Sequence, residues 1–150
     1  MKNYNVYLAG PLFSMAERDF NRRFIKALIK KMPEINFIMP QTYAKKVSEE
    51  NDFIPKIFRY CIESINVADI MLCILDGPDV DSGTCIEMGY AYAKHKWIIG
   101  VRTDSRDSED RGVNLMVSNV CNTMIWFRDN NSHARLADEV AAALKKAISV

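Results

Sequence analysis

Ile70-Met71-Leu72-Cys73-Ile74-Leu75-Asp76-Gly77-Pro78-Asp79-Val80-Asp81-Ser82-Gly83-Thr84-Cys85-Ile86-Glu87-Met88-Gly89-Tyr90 joins an unbroken apolar run to a helix through a turn rich in carboxylates. Six apolar residues without alternation are what a strand buried on both faces of a parallel sheet requires. Helical character begins after Gly83. In an open α/β sheet, ligands gather beyond the carboxyl ends of the strands, so Asp76, Asp81 and Glu87 all fall at the functional edge. Asp79 and Ser82 read as ordinary turn and cap residues. Glu87 is different: it lies between Ile86 and Met88, with one residue between it and Gly89, on a helix whose Ala91 and Ala93 suggest close packing.

Outward from this stretch, strands and helices alternate. Val6-Tyr7-Leu8-Ala9 reads as a strand ending at Gly10-Pro11, and Ser14-x-x-Glu17 is a capping box opening a helix. Phe20, Phe24, Ala27 and Leu28 form that helix's core stripe, and Arg18, Arg22, Arg23, Lys26 and Lys30 read as a solvated face in preference to a phosphate clamp. Residues 36–39 make a short strand stopped by Pro40, and the polar segment from Lys45 to Asn51 reads as a loop or lid. Asp52 is placed to cap a helix in which Ile54, Ile57, Phe58, Cys61, Ile62 and Ile65 recur at helical spacing. Trp97 to Val101 and Thr123 to Phe127 supply two more strands, separated by a charged loop over Arg102 to Gly112. Ser132 caps a last helix with a core face of Leu136, Val140, Ala143, Leu144, Ala147 and Ile148. This order implies one doubly wound, parallel α/β domain over residues 1–150.

Composition narrows the function. The 150 residues are 49% hydrophobic, enough for one cored domain, and 20 basic side chains nearly balance 19 acidic ones, which lacks the footprint of a nucleic-acid binder. Cys61, Cys73, Cys85 and Cys121 show no C-x-x-C spacing and read as buried thiols of a reducing compartment. No signal segment or membrane-length apolar run is present, so the expected location is cytoplasmic, without membrane partners. No G-x-G-x-x-G fingerprint suggests a nicotinamide cofactor. His95 and His133 sit at helix ends and do not look catalytic. No metal or other cofactor is expected.

Tyr7-Leu8-Ala9-Gly10-Pro11, Ala68-Asp69, Asp81-Ser82-Gly83-Thr84 and Glu87-Met88-Gly89-Tyr90-Ala91, together with Asn122-Thr123-Met124, resemble the nucleoside 2-deoxyribosyltransferase family. The resemblance implies a flavodoxin-like five-stranded sheet and transfer of a 2-deoxyribosyl group between bases, with deoxynucleoside and free nucleobase as small-molecule partners. Glu87 matches the family nucleophile, Tyr7 the tyrosine that orients it, and Asp81 the acid that accepts a hydrogen bond from the sugar 5′-hydroxyl. Retained stereochemistry at C1′ is most simply reached by two inversions through a glutamyl ester. A carboxylate at Asp81 disfavours a 5′-phosphate by charge repulsion. Gly10 and Gly83 belong to the loops flanking the substrate, and Phe13 is either a base-stacking residue or a hydrophobic staple. Gln41 is a candidate for base-edge hydrogen bonding. Asn122, with Met124 nearby, resembles the asparagine that reaches a neighbouring subunit's site, implying a homo-oligomer with shared sites. Cys61 stands where the family often has Asp or Asn for base recognition or proton transfer, and Asp76 is the freer carboxylate that could compensate. Two other readings remain: an N-glycoside hydrolase of deoxynucleosides or their 5′-monophosphates, and a non-catalytic nucleoside-binding module.

Overall fold

The computed structural model describes residues 3–107, 112–128 and 132–149. The chain runs β1 (Asn5–Ala9), α1 (Met15–Lys31), β2 (Asn36–Ile38), α2 (Pro40–Val47), α3 (Phe53–Val67), β3 (Ile70–Ile74), α4 (Ser82–Ala93), β4 (Trp97–Arg102), α5 (Leu115–Asn119), β5 (Thr123–Trp126) and α6 (His133–Ile148). The five strands lie in the order β2-β1-β3-β4-β5. Every pairing is parallel, with Tyr7 opposite Met71 and Ala9 opposite Cys73. The α/β, flavodoxin-like expectation is met.

Strand alternation divides the core into two layers. Val6, Leu8, Ile70, Leu72, Ile74, Ile99 and Val101 face α1 and α6, where Phe24, Leu28, Leu136, Val140 and Leu144 are buried against them. Tyr7, Ala9, Met71, Cys73 and Ile98 face the other layer, with Ile65 of α3 and Met88 and Ala91 of α4. The capping box forms as read: Ser14 Oγ accepts from the Glu17 amide, and Glu17 accepts from the Ser14 amide. Ser132 caps α6 through the Arg135 amide.

Several expectations are corrected. Pro40 does end β2, but it also occupies the first turn of α2, where its missing N–H costs nothing and its fixed φ suits the helix. The start of the segment read as a lid, Lys45 to Val47, is therefore helix, anchored by buried Val47 and by Tyr43 stacked on Tyr60 of α3 at 4.0 Å. Asp52 precedes α3 without a side-chain cap bond and pairs with Lys56. Of the apolar stripe on α3 only Ile65 is fully buried, whereas Ile54 and Phe58 are about two-thirds exposed, at 67% and 66%. Among the cysteines only Cys73 is fully buried; Cys61, Cys85 and Cys121 are half-buried, and all four are free thiols. α4 starts at Ser82, one residue before Gly83, with Asp81 as its cap.

Candidate active site

Three elements converge on one carboxylate. β1 brings Tyr7, fully buried, so that its hydroxyl donates to Glu87 Oε1 at 2.7 Å. α3 brings Cys61, close enough to Tyr7 and Glu87 to influence the charge of both. α4 carries Glu87 itself in its second turn, on the side of the helix that returns to the sheet at Met88 and Ala91. The two residues are 80 positions apart in sequence. Parallel pairing of β1 and β3 is what brings them together.

Burial is the main influence on Glu87 and raises its pKa from 4.5 to about 7. Donation from Tyr7 and Cys61 pulls the other way, and the charge of Asp81 adds a smaller upward push. A helix macrodipole favours an ionised carboxylate only within the first turn, and Glu87 lies beyond it, so desolvation prevails here. Burial, followed by the charge of Glu87, pushes the Tyr7 phenol far above its usual range. Burial also lifts the Cys61 thiol to about 11. Both neighbours are therefore protonated donors at neutral pH, and Glu87 is the one group of the three that titrates there.

Asp81 caps α4: Oδ2 accepts from the Thr84 amide at 2.8 Å and from the Thr84 hydroxyl at 2.9 Å. Both bonds go to one oxygen, which leaves Oδ1 without a hydrogen bond among the described residues. Gly83 keeps this carboxylate open, since a Cβ there would stand 3.2 Å from Oδ2. Gly10 allows β1 to turn against β3, because a Cβ on it would meet Ile74 Cβ at 3.0 Å. Phe13 is 70% exposed, so it is not packed as a staple. It stands free on the loop after β1.

The remaining sequence candidates are placed elsewhere or are already bonded. Asp76 is not the freer carboxylate: it accepts from the Thr103 amide at 2.6 Å, the Thr103 hydroxyl and the Asp104 amide, tying the end of β3 to the end of β4. Gln41 accepts from Asn21 at 3.2 Å and donates to the Arg18 carbonyl at 3.1 Å, which pins α2 to α1. Asn122 accepts from the Ile98 amide at 2.8 Å at the amino-terminal end of β5, opposite the edge that carries Glu87. Met124 packs in the core, filling the space beside Gly100 where a Cβ would meet its sulfur at 2.4 Å.

Sequence reasoning passed over Arg102 and the Leu115–Met116 pair. Arg102 is buried and donates to the carbonyls of Leu75, Gly77 and Arg106, fastening the loops after β3 and β4 to each other. A basic residue closing an apolar strand was the available signal. Leu115 and Met116 open α5 and are 54% and 67% exposed. Their signal was an apolar run directly after Asn114, which caps α5 through the Met116 amide. Among the described residues no His, Cys, Asp and Glu side chains are grouped to hold a metal ion, and no helix is long and apolar enough to cross a membrane.

A structure of a conserved protein from Enterococcus faecalis V583 superposes with a TM-score of 0.74 at 24% identity, covering 95% of this chain and 99% of that one. A 2-deoxyribosyltransferase from Bacillus psychrosaccharolyticus superposes with a TM-score of 0.67 at 21% identity, covering 88% and 95%. These likenesses establish the fold. An uncharacterized protein of Ureaplasma parvum serovar 3 is 36% identical over 107 residues, so the match spans 65% of this chain and 65% of that relative. The family model for nucleoside 2-deoxyribosyltransferase matches residues 6–116. That span contains Tyr7, Cys61, Asp81 and Glu87 and ends before Asn122 and Met124. The chain belongs to the nucleoside 2-deoxyribosyltransferase family.

Proposed function

We propose that this chain exchanges the base of a 2′-deoxynucleoside through a covalent sugar intermediate on Glu87. The observation that carries the proposal is the 2.7 Å bond from buried Tyr7 to Glu87 Oε1, which fixes one carboxylate at the ligand edge of the sheet. In the first step a Glu87 oxygen attacks C1′ as the C1′–N bond breaks, and the base leaves with the bonding pair and takes up a proton. In the second, a nitrogen of the incoming base attacks C1′ and gives up its proton, the ester bond breaks, and the carboxylate is restored. Tyr7 holds the carboxylate on axis, and its donation steadies the anion each time it reforms. Oδ1 of Asp81 accepts from the 5′-hydroxyl, and the same negative charge turns away a 5′-phosphate. Phe13 offers its exposed ring to the base.

The site is completed between subunits. α3, α4 and α5 share one side of the sheet, and on it Ile54, Phe58, Ile86, Leu115 and Met116 remain more than half exposed. Apolar side chains left uncovered on one side of the sheet are available for a protein contact. Ile86 adjoins Glu87 in sequence, so a partner docked there reaches the nucleophile's surroundings. Leu115 and Met116, at the start of α5, replace Asn122 as the segment a neighbour contributes. An Ile86→Lys protein is expected to lose its oligomeric mass in sedimentation while keeping its circular dichroism. A stable wild-type monomer would contradict the shared site.

The reaction itself is tested by incubating the protein with deoxyinosine, with and without adenine. A new deoxynucleoside that forms only when adenine is present supports transfer. Release of hypoxanthine at the same rate without adenine would make the chain a hydrolase, and tight binding without cleavage would make it a binding module.

A further inference from the structure

A cavity of about 1040 Å³ opens between α1 and α2, and none of Tyr7, Cys61 and Glu87 lines it. Its rim is cationic. Arg18, Arg22, Lys26 and Lys30 of α1 follow one another at intervals of four, which places them along one ridge of the helix. Lys45 faces them from α2. No carboxylate lines the cavity. Arg18 is spent on the carbonyls of Leu12 and Phe13, and Arg22 pairs with Asp19. Lys26, Lys30 and Lys45 have no acidic partner among the described residues. In a chain whose formal net charge is only +1, so many cations around one cleft is a segregation of charge, which focuses a positive potential into the groove.

The floor is of another kind. Ile29 and Met39 supply it above buried Ile25, and Ile29 is 47% exposed although it stands between Lys26 and Lys30. An apolar floor under a cationic rim suits a ligand that is anionic along one part and flat and apolar in another. From residue 18 to residue 30 the ridge runs about 18 Å at 1.5 Å per residue, the reach of an extended nucleoside triphosphate, and the volume is that of a small-molecule site.

We infer that this groove binds a nucleoside triphosphate, with the phosphate chain along Lys26, Lys30 and Lys45 and the base on Ile29 and Met39. The sequence reading of this face as merely solvated then fails for its α2 side. The site is separate from the one proposed to handle the deoxyribosyl group, and the inference stands whether that reaction is transfer or hydrolysis.

Calorimetric titration of the full chain with ATP, with inorganic tripolyphosphate and with adenosine tests it. ATP is expected to bind with a micromolar dissociation constant, tripolyphosphate at least fivefold more weakly, and excess adenosine is expected not to displace ATP. A Lys26→Glu/Lys30→Glu protein should bind ATP at least tenfold more weakly while base exchange and melting temperature stay unchanged. If that double variant folds poorly, Lys26→Ala/Lys30→Ala is expected to show a smaller loss in the same direction. Absence of ATP binding at millimolar concentration, equal binding of tripolyphosphate, displacement by adenosine, or binding indifferent to both lysine variants would overturn the inference.

Discussion

Val6, Leu8, Ile70, Leu72 and Ile74 are sealed beneath α1 and α6, while Tyr7, Met71 and Cys73, from the same strands, lie under a layer that leaves Ile54, Phe58 and Ile86 in solvent. The first face is closed by the chain itself with apolar side chains. The second holds a titratable cluster in its interior and an uncovered apolar surface outside it. Alternation along β1 is enough to separate the two roles, since adjacent residues point to opposite faces. Stability and chemistry are thereby assigned to different sides of one sheet, and substitutions on each side should have different consequences.

The largest effect is expected from Glu87→Gln, which should lower base exchange by at least about 10³-fold, as removal of a nucleophile does. The same change should stabilise the fold at high pH. The Glu87 pKa is raised from 4.5 to about 7 in the folded chain, so the stability that goes with its neutral form is complete below 4.5 and is lost as pH rises through 7. Gln cannot ionise. Its protein should melt near wild type at pH 4 and be more stable at pH 8, by up to about 3 kcal/mol. Equal melting at both pH values would show that Glu87 is not held in a desolvating site.

Leu28→Ala, on the opposite face, should cost about 3 kcal/mol in denaturant unfolding through the cavity it leaves, with base exchange per folded molecule unchanged. A loss of turnover in the folded fraction would break the separation between the faces. Tyr7→Phe should reduce turnover by roughly 10- to 100-fold, a range set by the loss of one charge-assisted hydrogen bond. Because donation from Tyr7 lowers the Glu87 pKa, removing it should shift the acid limb of the pH–rate profile upward from about 7. A downward shift would reverse the assigned role. The smallest effect is expected from Asn122→Ala, about 1 kcal/mol of stability for the lost bond to the Ile98 amide, with kinetics intact.

How much of this could be read from the chain differs by element for physical reasons. β3 was legible because a strand buried on both faces carries no polar interruption, and α1 because Ser14 and Glu17 announce a cap reciprocally. α2 was not, since a proline after a strand marks the end of one element and equally the first turn of the next. The period of α3 identified its apolar side but not what covers that side, and Ile54 and Phe58 prove to be uncovered by this chain. Asp76 and Asp81 look alike in sequence. Only the folded neighbours show Asp76 saturated by Thr103 and Asp104 and Asp81 with one oxygen open. The pairing of Tyr7 with Glu87 came from the family resemblance, and in the fold the Tyr7 hydroxyl donates to Glu87 Oε1 at 2.7 Å. Cys61 beside them follows from the turn of α3 over β1.

The central claim is a covalent sugar on Glu87. Incubation with a 2′-deoxy-2′-fluoronucleoside, whose electron-withdrawing fluorine slows breakdown of the intermediate, followed by peptide mass spectrometry, tests it directly. The account predicts one sugar adduct per chain, located on Glu87, discharged by added base and absent from the Glu87→Gln protein. An adduct on another residue, or turnover of the normal substrate by the Glu87→Gln protein at the wild-type rate, would contradict it.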